Sequence, residues 1–175
     1  MKFEYYNKYI NYQTKTHRRD LTPLFANKQI FKNLIIDLVT PFKKPTKIVS
    51  IDALGFILGA ASANYLKIGF VTIRKENKLF CKKNKIYSTQ IKDYSNKIKI
   101  LEMNKDLITK KDKILIIDDW IETGAQIKGA IKLIKKTGCE IIGISCFGVY
   151  KNKSTNKLFK EYKINYILEV EIYDD

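Results

Sequence analysis

Apolar residues fall into short β-branched runs separated by stretches with helical spacing. Residues 47–52 (KIVSID), 68–74, 98–103, 113–118, 140–149 and 164–170 each read as a strand. Between them the period changes. Leu24, Ile30, Phe31, Leu34, Ile35 and Leu38 predict an amphipathic helix ending before Pro41, with Asp20 or Thr22 as its cap and Pro23 in its first turn. Gly55 opens an apolar helix over residues 56–66, where Gly59, Ala60, Ala61 and Ala63 permit close packing on a sheet. Ile127, Ala130, Ile131 and Ile134 mark a third helix, with Gly138 as its C-cap. Residues 152–160 read as a short polar turn. Strands alternating with helices predict an α/β fold with a mostly parallel twisted sheet and right-handed crossovers. Its working edge lies at the C-terminal ends of the strands.

Two stretches escape the alternation. Residues 80–98 (FCKKNKIYSTQIKDYSNKI) are Lys-rich and only weakly alternating, which reads as a mobile hairpin or lid. Residues 1–20 carry Tyr5, Tyr6, Tyr9 and Tyr12 without a core pattern, and form either an arm or hood over a site or a packed N-terminus. No repeat, low-complexity tract or linker divides the chain, so residues 1–175 are read as one domain.

Composition changes this picture little. The net charge of +15 would suggest nucleic acid, but 30 of the 33 basic residues are lysines scattered along the chain. That pattern is a compositional bias rather than a groove-reading surface, where arginine is favoured, and nucleic acid is not expected as a partner. No apolar run reaches the roughly 18 residues of a membrane helix, and the first ten residues lack a signal-peptide core; no membrane partner is expected. Cys81, Cys139 and Cys146 are odd in number and lack CxxC spacing, which predicts reduced thiols acting as small hydrophobes in the cytoplasm.

The candidate chemistry is concentrated in residues 113–126, KILIIDDWIETGAQ. The run Ile114, Leu115, Ile116, Ile117 suits a strand buried on both faces. It ends in Asp118 and Asp119, followed by the small polar loop Glu122, Thr123, Gly124, Ala125 and Gln126, and then a helix. Backbone N–H groups at a helix N-terminus hold a phosphate, and fixed carboxylates accept hydrogen bonds from hydroxyls. The stretch therefore reads as a phosphate–sugar site.

These residues resemble the phosphoribosyl-pyrophosphate (PRPP) signature of the type I phosphoribosyltransferases: an apolar strand, two acids, two residues, then a T-G loop. Arg19 to Leu24 is similar to the R-D-[IL]-T-P-L segment of the family's adenine branch, which the chain resembles most. Ile51, Gly55 and Phe56 keep part of the family's I-x-x-R-G-F turn; Arg74, Lys75, Lys78 and Leu79 keep R-K-x-x-K-L; Leu101, Glu102, Lys105 and Asp106 keep L-E-x-x-K-D. The resemblance runs from about residue 19 to residue 169 and implies the type I phosphoribosyltransferase fold, with a lid over residues 80–98 and a small N-terminal hood.

It further implies transfer of the 5-phosphoribosyl group from PRPP to a purine base, adenine first, with Mg²⁺ bound through PRPP and no metal held directly by the chain. Asp118 and Asp119 would hold the ribose hydroxyls as catalytic residues, and residues 122–126 the 5′-phosphate. Asp52, Ala53, Leu54, Gly55, Arg74, Lys75 and Lys78 would hold the pyrophosphate, and Arg18, Arg19 and Trp120 the base. A homodimer is expected. The chain departs from the family at Leu54 (arginine there), at Arg18 (apolar there), at Ala125 and Gln126 (Gly and Thr there), and in having no glutamate between Glu76 and Glu102, where the family's lid carries a catalytic one. Asp93 or Tyr94 would be the nearest substitutes, and a slower enzyme without a direct replacement is the expectation. Two alternatives stay open: another base or acceptor, and a non-catalytic PRPP- or nucleotide-sensing protein.

Overall fold

The central strand of the fold runs further than its apolar core. In the structure, a computed structural model that describes residues 2–12, 19–92 and 97–171, strand β5 spans Lys113–Ile121 and carries both aspartates within it. Ile114 to Ile117 are wholly buried because β5 has a strand on either side and packed helices on both faces. Before it come α1 (Lys2–Asn7), α2 (Thr22–Ala26), α3 (Lys28–Val39), β1 (Lys47–Ile51), α4 (Leu54–Leu66), β2 (Gly69–Lys75), β3 (Ile86–Lys92) and β4 (Ile98–Asn104). After it come α5 (Ala125–Lys135), β6 (Glu140–Lys151), α6 (Lys153–Glu161) and β7 (Ile164–Glu171).

The sheet order is β3-β4-β2-β1-β5-β6-β7. Strands β2, β1, β5, β6 and β7 are mutually parallel, while β4 pairs antiparallel with both β2 and β3. The chain leaves β1 through α4 toward β2 and leaves β5 through α5 toward β6, in opposite directions along the sheet. Right-handed crossovers then put α4 and α5 on opposite faces. The two apolar clusters agree. One gathers α5 with Leu158 of α6; the other gathers α1, α2, α3 and α4. The strand order reverses between β1 and β5, so a crevice opens at their C-terminal ends.

Several expectations at the level of elements are corrected. The first predicted helix is two, because the Asn27 side chain accepts from the N–H groups of Gln29 and Ile30 and starts α3 afresh. Asp20 does not cap α2 through its helix; its Oδ1 accepts from Thr22 N–H and hydroxyl in a local turn, with Pro23 in the first turn as read. Residues 153–161 form helix α6, not a polar turn, under an Asn152–Thr155 capping box. Residues 86–92 form a full edge strand paired with β4 from Ile86↔Asn104 to Lys92↔Ile98, so the described part of the proposed lid is largely sheet. The α5 helix ends at Lys135 with Lys136 as its C-cap, and Gly138, at φ 75°, turns the chain two residues beyond that cap.

The N-terminal tyrosines divide. Tyr6 is buried and donates its hydroxyl to Asp37 Oδ2 at 2.9 Å, whereas Tyr5 and Tyr12 stay largely exposed. At the opposite edge of the sheet from the crevice, Asp112 ties the starts of β1 and β5 together. It accepts from Thr46 Oγ1 (2.9 Å), Lys47 Nζ (2.9 Å), Thr109 N (2.8 Å) and Thr109 Oγ1 (3.0 Å).

Candidate active site

Everything that lines the crevice is delivered by three chain segments at the ends of β1, β2 and β5. Asp52, Ala53 and Leu54 follow β1; Lys75 ends β2; Asp118 to Ile121 close β5; and Glu122 to Ile127 lead into α5. Together they enclose a cleft of about 260 Å³. The Asp52–Ala53 peptide is cis.

Asp118 is 5% exposed and accepts a hydrogen bond from Asp119 N–H at 3.0 Å. Burial first, and then the like charge of Asp119, push its carboxyl well above the usual carboxylate range. Gly55 is what lets it sit there. A Cβ on Gly55 would come 2.5 Å from Asp118 Oδ1, so any larger residue would displace the carboxylate. Beside Asp118, on the neighbouring strand β6, lies the fully buried Cys146, whose thiol burial pushes well above its ordinary pKa.

The loop after β5 is three residues long, and Ala125 already belongs to α5. Gly124 adopts φ +74°, the left-handed region that side chains disfavour, and serves as the N-cap without a side-chain bond. Thr123 Oγ1 accepts from Ala125 N–H at 3.3 Å. The residues that open α5 line the cleft, where a helix N-terminus favours an anion.

Cations stand on the other side. Lys75 Nζ lies 3.8 Å from Asp52 Oδ1, and Arg74 Nε lies 3.8 Å from Asp52 Oδ2. Arg74 Nη1 donates to the Lys78 carbonyl at 2.9 Å, which closes the turn after β2. Glu102 holds the same turn, its Oε2 accepting from Asn77 N–H at 3.0 Å. Arg74 and Lys78 thus flank the cleft without lining it.

Trp120 lines the cleft and packs into the protein at once. Its ring lies 6.0 Å from Phe147 and 5.5 Å from Tyr150, and it rests on Gly148, where a Cβ would collide with it. Phe147 in turn meets Tyr6 at 6.3 Å, so the N-terminal segment braces the floor on which Trp120 sits. Arg19 is elsewhere: its guanidinium stacks on Tyr12 (5.2 Å) and Phe3 (5.9 Å), away from the residues that line the cleft. Arg18, Asp93 and Tyr94 lie outside the described residues.

The structure thus gathers Asp52, Ala53, Leu54, Lys75, Asp118, Asp119, Trp120 and Glu122 to Gln126 around one cleft. Gly55 supports it from behind. Sequence reasoning missed Ile121 and Ile127, which line the cleft as apolar walls, and Asn152, whose Nδ2 donates to the Glu122 carbonyl at 2.9 Å. The Asn152-x-x-Thr155 spacing signals the α6 cap, but nothing in the sequence signals the contact with Glu122.

Comparison with known proteins places this arrangement. Residues 21–172 match the phosphoribosyl transferase domain family. The chain is similar to an adenine phosphoribosyltransferase of Rhizobium meliloti, at 37% identity over 74% of this chain and 70% of that protein. It is similar to another from Mesorhizobium japonicum, at 39% identity over the same shares. The crystal structure of adenine phosphoribosyltransferase from Rhodothermus marinus superposes with a TM-score of 0.86 at 26% identity, covering 97% of this chain and 98% of that one. The match over residues 21–172, with relatives at these identities over most of the chain, shows that the chain belongs to the phosphoribosyl transferase domain family.

Proposed function

We propose that the chain transfers the 5-phosphoribosyl group from PRPP to adenine, giving the nucleoside monophosphate and pyrophosphate. One observation carries the reading: the acidic pair, the α5 N-terminus and the Asp52–Lys75 edge converge on a single cleft at the switch between β1 and β5. The relatives at 37% and 39% identity are adenine phosphoribosyltransferases, which supports adenine as the base.

In this reading the 5′-phosphate sits on the N–H groups at residues 123–126, and Asp118 and Asp119 accept from the ribose hydroxyls. The ring of the ribose is then held over two carboxylates while positive charge develops at its anomeric carbon. Lys75, with Arg74 and Lys78 beside it, receives the diphosphate as it leaves. Trp120 offers the face of its indole to the base, held rigid by Phe147 and Tyr150. Arg19, set apart on the N-terminal aromatics, contributes through the hood rather than by lining the cleft.

Mg²⁺ suits the oxygen donors of this site. Among the described residues no cluster of three ligands is built to hold it, but Asp52 Oδ1 is buried at the cleft without a hydrogen-bond partner. Asp52 would hold the ion or its waters together with the diphosphate, and the ion when bound neutralises charge on that leaving group. Residues 80–98 remain the assigned lid, and their described part includes the stretch that leads into β3 and β3 itself. The three free thiols accord with a cytoplasmic setting, and the exposed Ile57 and Tyr65 of α4 offer an apolar surface to a second copy in a homodimer.

The test is to incubate the protein with PRPP, Mg²⁺ and a panel of purine and pyrimidine bases and to follow pyrophosphate release. Release with adenine above all other bases is expected. Release with another base alone would reassign the acceptor, and none with any base would leave a binding protein.

A further inference from the structure

We infer that Asn152 is a positioning residue for the phosphate loop, tethering it to helix α6 through the Glu122 carbonyl. The inference rests on residues 122–126 holding the 5′-phosphate. It adds a residue from a distant segment that neither lines the cleft nor touches a ligand in it.

The two ends of the Asn152 side chain have different partners. Its Oδ1 accepts from Ser154 N–H and Thr155 N–H, both at 2.9 Å, which caps α6. Thr155 Oγ1 returns the bond, accepting from Asn152 N–H at 3.0 Å, and donates to the Tyr150 carbonyl at 2.8 Å. The carboxamide plane is thereby fixed, and its Nδ2 is aimed at the Glu122 carbonyl 2.9 Å away. The oxygen does a helix's work and the nitrogen holds the loop.

Two more contacts run between the same elements. Lys128 of α5 donates its Nζ to the Ser154 carbonyl at 2.9 Å and to Ser154 Oγ at 2.5 Å. Leu158 of α6, 3% exposed, sits so close under Gly124 that a Cβ there would come 3.0 Å from its Cδ1. The first turn of α6 is thus a seat for the loop, and the loop has no side-chain cap of its own at Gly124. A loop that must present several N–H groups to one phosphate gains from having its carbonyls turned away and held; Asn152 holds the first of them.

The two functions of the side chain are separable by substitution. Asn152→Ser and Asn152→Asp both keep an oxygen that caps a helix well, and both remove the amide donor. Serine adds no charge. Steady-state kinetics with PRPP and adenine are measured together with melting temperatures and with direct binding of adenosine monophosphate. Both variants are expected to melt close to wild type. Loss of one ground-state hydrogen bond should raise the KM for PRPP and the Kd for the monophosphate by roughly 3- to 10-fold, with the KM for adenine and kcat little changed.

A Ser variant with wild-type PRPP and monophosphate affinity overturns the tether, because Asn152 is then only a cap. Weakening confined to the Asp variant overturns it too, since charge alone would explain the loss. A parallel rise in both KM values with a lowered melting temperature marks a general defect and overturns it as well. Wild-type protein that binds no adenosine monophosphate overturns the phosphate-loop reading itself, and the tether with it.

Discussion

Asp118 sits in the crevice against the preference of the fold, because burial and the charge of Asp119 both disfavour its ionised form. Its folded-state pKa is raised, so the native state holds the proton more tightly than the unfolded chain. Stability is therefore lost as pH rises from the ordinary carboxylate value of 3.8 toward the raised one. Asp118→Asn should remove that cost while keeping an acceptor for Asp119 N–H. Melting curves from acid to neutral pH should show the variant gaining on wild type as pH rises, while its affinity for PRPP falls. A constant gap across pH would show that Asp118 is not the titrating group. Asp119→Asn should keep the fold and lose roughly 1–3 kcal/mol of a charge-assisted bond to the ribose, read as PRPP affinity. Gly124→Ala forces a side chain to φ +74° and onto Leu158, which should cost about 1–2 kcal/mol in denaturant unfolding and weaken phosphate binding further. These residues were legible because two acids and a T-G pair at fixed spacing after an apolar strand carry their own chemistry. Asn152 was hidden by distance: it is 30 residues from the carbonyl it holds.

At the scale of elements, what was misread was short or polar. Helix α6 offers only Leu158 and Phe159 as apolar neighbours in sequence, and it is fixed by its cap rather than by periodicity. Strand β3 buries Ile91 alone along its length, so its alternation was faint, and its place is fixed by the β4 ladder. Hydrogen exchange should separate β3 from what precedes it. Amides of β3 that pair with β4 should exchange slowly, whereas residues 80–85, with Phe80 fully exposed, should exchange fast in the free protein and slow when PRPP and adenine are bound. Equal exchange in the two segments would contradict the pairing. The Asp112 junction makes an opposite pH prediction to Asp118. Burial acts to raise its carboxyl, but the hydrogen bonds from Thr109, Lys47 and Thr46 outweigh it and hold it at about 2. That stabilisation is present above 3.8 and is lost as pH falls toward 2. Asp112→Asn should lower stability at neutral pH by about 2 kcal/mol in denaturant titration, and the deficit should shrink in acid.

For the whole molecule, the alternation of strands and helices was enough to place the working edge. Right-handed crossovers leave α4 and α5 on opposite faces, and the crevice between β1 and β5 follows from that topology. The hairpin of residues 80–98 and the packed N-terminus were legible only as alternatives, to a lid and to an arm, because both depend on packing between distant segments. Tyr6 shows why: among four tyrosines without a core pattern, tertiary contact with Asp37 and Phe147 buries this one. In the assembled protein a nucleotide is then expected to lie across the ends of β1 and β5. A crystal structure with adenosine monophosphate tests it most directly. The expected result is the 5′-phosphate against the N–H groups of residues 123–126, the ribose hydroxyls on Asp118 and Asp119, and adenine beside Trp120. A phosphate seated anywhere else, with the α5 N-terminus facing solvent, would contradict it.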